Sequence, residues 1–280
     1  MSDCENIIDI CLRAGALVLE NGGETYRAEE TIVRIARALG ALTVSAFVTP
    51  TVIMISFTDT STKTHTAMRR ITIRGTNLEK VDRINTLSRE ITGTIAPHTS
   101  CSKLGLGMPL KTTTLSIQEI KTKLTSVENA PIFSKWLIIL MSGFTSAFFA
   151  LMFGSNFYVA LYSFIIGLLL RIVLIFLEKV TRNSFTVSLV SGFFTASLAS
   201  LASFFMLHFF SAQIYTVSYM QILVAVLMQV VPGIAITNAM RDMIAGDLVS
   251  GTARLFEAFM IAGGLSAGAA AGLLLTGSLL

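Results

Sequence analysis

The chain has 280 residues, 53% hydrophobic and 14% charged, with a mean hydropathy of +0.71 and a formal net charge of +4. Soluble domains carry roughly 25% charged residues, so this composition excludes an ordinary soluble protein and points to an integral membrane protein. Basic loops beside a membrane account for the positive balance, and no basic run or zinc-finger pattern supports nucleic-acid binding.

The charges are unevenly spread. Residues 1–135 hold 16 of the 21 Lys/Arg and 13 of the 17 Asp/Glu. Residues 1–130 are therefore expected to form a water-soluble domain with its linker, and 131–280 a transmembrane domain. The chain starts acidic (Asp3, Glu5, Asp9) and carries no secretory-signal pattern there. Its three cysteines, Cys4, Cys11 and Cys101, are an odd count and suggest buried thiols in a reducing compartment rather than a disulfide framework.

In chain order, Ile8, Cys11, Leu12, Gly15 and Leu19 recur at helical spacing over 5–19 and stop at Asn21-Gly22-Gly23. A second helix over 24–39 puts Ala28, Ile32, Ile35 and Leu39 on one face, with Glu30–Arg34 as an i,i+4 pair. From Leu42 the period becomes two. Thr49-Pro50-Thr51 interrupts it, 52–57 reads as a buried strand, and a third strand is expected at about 66–73. Asn77–Thr92 reads as a helix, and 93–131 as a linker with a short amphipathic helix near 116–128. These elements predict a small α/β domain.

Beyond Pro131 the apolar runs reach the ~20 residues a bilayer requires. Five spans are expected, at about 134–153, 157–177, 185–209, 218–240 and 253–277. The first and third connections carry no charge, whereas the second has Lys179 and Arg182 and the fourth Arg241 and, at its end, Arg254. The positive-inside rule then places the N-terminal domain in the cytoplasm and the C-terminus outside. Small residues recur every fourth position at Ser188, Gly192, Ala196 and Ser200, and at Gly264, Gly268 and Gly272. Such ridges let helices approach closely, within one bundle, as a moving interface or against another subunit.

The richest segment runs from Val230 to Ala258. Pro232-Gly233 breaks an apolar run, and Arg241, Asp242, Asp247, Arg254 and Glu257 follow. Proline frees backbone groups that lipid cannot satisfy, and charges near the membrane usually face a pathway or a partner. A half-helix starting at Pro232 would offer amide donors to a carboxylate, with Thr237 and Asn238 adding hydrogen bonds. The alternative is a kink that only shapes the bundle. Arg171, within the second span, either snorkels to headgroups, pairs with Glu257 or Asp242, or meets a substrate carboxylate. Glu257 is a candidate proton-carrying carboxylate, since burial disfavours its charge, or else a structural ion-pair partner. Asp242 and Asp247 are further proton-coupling candidates or simple helix caps.

Little points to an enzyme. His98-x-x-Cys101 lacks a second ligand pair, so no metal and no cofactor is expected. His208 reads as interfacial, and no phosphate loop, nucleophile elbow or zinc-protease motif occurs.

Four segments carry a resemblance: N-G-G-E-T-Y-R-A-E-E-T-I-V-R-I-A-R-A-L-G (21–40), F-V-T-P-T-V-I-M-I-S-F (47–57), R-R-I-T-I-R-G-T-N-L-E-K-V-D-R-I-N-T-L-S-R-E-I (69–91) and P-G-I-A-I-T-N-A-M-R-D-M-I-A-G-D-L-V-S-G-T-A-R-L-F-E-A (232–258). With these the chain resembles the threonine/serine exporter family, in particular its half with a soluble domain and five spans. The resemblance implies proton-driven export of small metabolites, threonine/serine or succinate, across the plasma membrane. It also implies a second, small hydrophobic subunit as partner, besides lipid and a possible homo-oligomer. The expected roles are substrate binding by Pro232, Gly233, Thr237, Asn238, Arg171 and Arg241, proton coupling by Glu257, Asp242 and Asp247, and helix packing by Gly264, Gly268 and Gly272. The competing expectation is a regulatory or assembly subunit whose partner carries the flux.

Overall fold

The computed structural model describes residues 3–93, 113, 115–130, 133–181, 183–209 and 218–276. His98 and Cys101, Arg182 and the 211–216 connection lie outside the described residues. The chain forms two compact units, the first comprising Met1–Pro131 and Ile234–Leu255, the second Ile132–Gly233 and Phe256–Leu280.

In the first unit, α1 (Asp3–Glu20) and α2 (Thr25–Ala38) precede β1 (Thr43–Thr49), β2 (Val52–Thr58) and β3 (Thr64–Arg70). The short connections make the sheet an antiparallel meander in the order β1-β2-β3, with Val48 opposite Ile53 and Ile53 opposite Arg69. Alternation along β2 sends Ile53, Ile55 and Phe57 inward, where they are buried with Ile10, Ile32 and Ile35 of the helices. Burying each such side chain is worth about 1.5–3 kcal/mol. α3 (Leu78–Thr92) is capped by the Asn77 side chain, and α4 (Ile117–Glu128) by a reciprocal Ser116–Glu119 capping box. Arg13 on α1 fixes α4 by donating to both carboxylate oxygens of Glu128, at 2.8 and 2.6 Å.

The second unit contains α5 (Lys135–Met152), α6 (Phe157–Val180), α7 (Ser184–Phe209) and α8 (Tyr219–Leu227). α9 (Gly233–Ile244) lies almost wholly in the first unit, and α10 (Leu248–Thr276) begins there and continues in the second. Among the described residues four helices are long and apolar enough to cross a membrane: Lys135–Met152, Phe157–Val180, Ser184–Phe205 and Leu248–Thr276.

The expected fifth span over 218–240 is not a single helix. α8 has nine residues and rises about 13 Å, short of a ~30 Å hydrocarbon core. The chain turns at Met228–Val230, whose amides fold back on Val224 and Leu227, and α9 starts only after Pro232. Proline offers no amide and restricts the preceding Val231, so an apolar run that reads as continuous is two short helices. α10, conversely, starts at Leu248 rather than about 253, because the Asp247 carboxylate accepts from the Ser250 amide at 3.2 Å and caps it.

Candidate functional site

The second unit holds a cavity of about 420 Å³, within the ~300–1,000 Å³ range of small-molecule sites. Phe133, Leu137, Ile138 and Met141 give it apolar walls, and Ser142, Thr145, Arg171 and Gln229 supply the polar groups. Two features position the polar groups. Gly167 on α6 lets α5 come close, since a Cβ there would overlap Ser146 and lie 3.1 Å from the Ser142 carbonyl. Ser142 Oγ then lies 3.1 Å from the Gly167 carbonyl and against Gln229 Oε1, while Gln229 Nε2 donates to Ser146 Oγ at 3.1 Å. The amide is thereby held by two serines one turn apart.

Arg171 is the only charged residue of the lining. It sits more than two turns from the end of α6, and its Nη1 lies 3.9 Å from the largely exposed Glu178 carboxylate. Its Nε is buried without a hydrogen-bond partner among the described residues. A guanidinium in an apolar span is costly unless an anion or a polar cavity compensates it. The set of one guanidinium, one amide and two hydroxyls suits a small molecule carrying a carboxylate and further hydrogen-bonding groups.

A second constellation lies wholly in the first unit, where the two segments with the richest motifs meet. After α1 the chain turns at Gly22, whose φ of +89° is a left-handed conformation that suits glycine. That turn presents the Gly22 and Gly23 carbonyls. Asn238 Nδ2 donates to Gly22 O at 2.9 Å, and Arg254 Nη2 to Gly23 O at 2.9 Å. Arg241 Nη1 donates to Glu24 Oε1 at 2.6 Å, and Arg27 pairs with the other oxygen at 3.1 Å. Asp242, fully buried, accepts from the Thr25 amide at the α2 N-terminus at 3.2 Å. Arg254 Nε sits 3.2 Å from its second oxygen, as a charge pair rather than an aligned hydrogen bond. Glu29 accepts from the Val48 amide at 3.0 Å, and Ser250 Oγ donates to the Val48 carbonyl at 3.4 Å. Gly246, with φ +94°, turns α9 into α10 so that Asp242 and Arg254 reach the same point.

Burial raises the Asp242 carboxyl above the ordinary range, against the Thr25 hydrogen bonds and the Arg254 charge, and Asp247 adds to the rise. Burial likewise raises Glu29, opposed by the Val48 amide and reinforced by Asp247 and Asp242. Burial alone would raise Glu24 too, but hydrogen bonds to its own backbone and to Arg241, with the Arg27 charge, hold it below the usual range. The cluster thus pairs one carboxyl held below its ordinary range with two raised above theirs.

The residues singled out in the sequence are divided accordingly. Arg171 lines the cavity. Asn238, Arg241 and Asp242 engage the α1–α2 turn, Asp247 caps α10, and Thr237 is exposed on α9. Pro232 and Gly233 form the break before α9, and Glu257 is half-buried on α10. Gly264 and Gly272 face α7, where a Cβ would fall 2.8 Å from Phe185 O and 2.7 Å from Phe193 O, and one at Gly268 would overlap Leu189 O. The sequence reading missed Gln229, Ser142, Thr145, Glu24 and Glu29. A lone amide inside an apolar run, and hydroxyls at i and i+3 on a span, were the available signals for the first three.

The ThrE family model, described as "Putative threonine/serine exporter", matches residues 9–103 and 109–276, nearly the whole chain. The chain belongs to this family. No curated protein and no solved structure is significantly similar to it. The ThrE match covers residues of both units, in a membrane protein of an exporter family.

Proposed function

We propose that this protein exports small carboxylate metabolites, threonine/serine or succinate, across the plasma membrane, with the substrate carboxylate seated on Arg171. The supporting observation is the bundle cavity with one guanidinium whose Nε has no partner among the described residues, beside Gln229, Ser142 and Thr145. The amide and hydroxyls complement the amino and hydroxyl groups of serine or threonine, or the second carboxylate of succinate. On this reading the broken 218–240 segment makes the fifth crossing, and residues 1–130 are cytoplasmic.

Export is driven by the proton gradient. Asp242, past the end of the fifth crossing, and Glu29 take up and release the proton, since burial already inclines both carboxyls to hold one. Asp247, which raises both, tunes them, and Glu257 is the remaining candidate on α10. The protein works with a second, small hydrophobic subunit.

One observation favours the competing reading of a regulatory or assembly subunit. Asn238, Arg241, Asp242 and Arg254 all contact the α1–α2 turn. On that reading the charges at 241–257 are replaceable without loss of flux. Cells preloaded with labelled threonine, serine or succinate separate the readings, expressing this chain alone or with a second hydrophobic subunit. Efflux that a protonophore abolishes, and that Asp242→Asn uncouples from pH, supports proton-coupled export. Unchanged flux in that variant supports the regulatory reading.

A further inference from the structure

Away from the cavity and the junction, three donor atoms of different chemistry converge in the first unit. Cys4 lies in the first turn of α1, Asp59 begins the β2–β3 turn and His65 lies on β3. The Cys4 sulfur, an Asp59 carboxylate oxygen and a His65 ring nitrogen all lie within 4.8 Å of one another. Asp59 Oδ2 is 3.6 Å from Cys4 Sγ and 3.0 Å from His65 Nε2. Metal–ligand bonds of about 2.0–2.3 Å at tetrahedral angles place ligand atoms roughly 3.3–3.7 Å apart, and both contacts to Asp59 match that spacing to within a few tenths of an ångström.

The groups are also oriented for it. Asp59 Oδ1 is engaged by the Ser61 and Lys63 amides, at 2.8 and 3.0 Å, and this turns Oδ2 toward the other two groups. The His65 ring stacks on Phe57 with centroids 5.4 Å apart, which fixes the direction of Nε2. The side chains of Asp59 and His65 are 14% and 30% exposed, which leaves solvent access for a fourth ligand.

We propose that Cys4, Asp59 and His65 form a binding site for a divalent transition-metal ion, zinc by its mixed sulfur, nitrogen and oxygen donors, with water as the fourth ligand. Binding releases the Cys4 thiol proton to solvent, so thiolate and carboxylate together neutralise the two charges of the ion while neutral imidazole donates its Nε2 lone pair. The ion would tie the start of α1 to the β2–β3 turn and stabilise the first unit.

The test uses the full-length protein in detergent, stripped with a chelator and titrated with Co²⁺ alone, then with Zn²⁺ as competitor. One equivalent of Co²⁺ should give a near-ultraviolet thiolate charge-transfer band that Zn²⁺ displaces. The band should persist in Cys101→Ser, vanish in Cys4→Ser, and require at least ten-fold more Co²⁺ in His65→Gln. Zn²⁺ should raise the thermal midpoint of the wild type and of Cys101→Ser but not of Cys4→Ser. No band in the wild type, or a band that survives Cys4→Ser, overturns the site and leaves two hydrogen bonds to Asp59.

Discussion

The buried Asp242 carboxylate accepts a hydrogen bond from the Thr25 backbone amide, 3.2 Å away at the N-terminus of α2, and shares its second oxygen with Arg254. The pair is separated by more than two hundred residues, yet it joins the two segments of the chain with the densest motifs. Removing one partner of a buried pair typically costs about 3–5 kcal/mol, because the other charge stays behind uncompensated. Asp242→Ala should therefore lower the stability of the first unit by about that amount. Asp242→Asn should cost less by about 1 kcal/mol, the worth of the retained Thr25 hydrogen bond, since it leaves Arg254 equally uncompensated. Hydrogen exchange at the first α2 amides in both variants checks this, and equal protection in the two would contradict it.

The same carboxyl sets a pH dependence. Asp242 and Glu29 are raised in the folded protein, so each binds its proton more tightly there than when unfolded. The stability they contribute is fully present below the unfolded values, about 3.9 for Asp and 4.3 for Glu, and is lost as pH rises through the folded ones. Thr25, Arg254 and Asp247 act on Asp242, and Val48, Asp247 and Asp242 on Glu29, whereas Glu24 is shifted the opposite way. The thermal midpoint of the wild type should fall as pH rises above about 4.5. Asp242→Asn should flatten that slope. A midpoint that rises over the window in the wild type contradicts the assignment.

Gly167 should be intolerant of any side chain. A Cβ there overlaps Ser146, which holds Gln229 at the cavity. Overpacking of this kind costs about 1–3 kcal/mol. Gly167→Ala is expected to weaken substrate binding more than Gly154→Ala, a position with no atom near the missing Cβ but with φ +75°. Equal affinity in the two variants would detach the α5–α6 approach from the site.

The elements of the first unit were legible because their signals are local. Ile53, Ile55 and Phe57 alternate, Asn77 and Ser116 cap, and Gly22 and Gly40 terminate. The four long spans were legible from apolar length alone. The break of 218–240 into α8 and α9 was half legible. Pro232 marks it, but hydropathy cannot reveal that the chain already turns at Met228. The destination of the charges after Pro232 was not legible. Nothing in Arg241, Asp242 or Arg254 says that their partners are Glu24, Thr25 and Gly23, because those contacts are made in three dimensions between distant segments. Gln229 was hidden for the converse reason, as one amide in an apolar run whose serine partners lie on another helix.

Equilibrium binding of labelled threonine, serine and succinate to the purified protein shows whether the cavity holds a small carboxylate through Arg171. Loss of a charged hydrogen bond typically costs about 1.5–3 kcal/mol, so Arg171→Met should weaken binding about 10- to 100-fold. Arg171→Lys should recover part of that loss, and the matching amino alcohol, which lacks the carboxylate, should fail to compete. Unchanged affinity in Arg171→Met, or competition by the amino alcohol as strong as by threonine, would contradict the account.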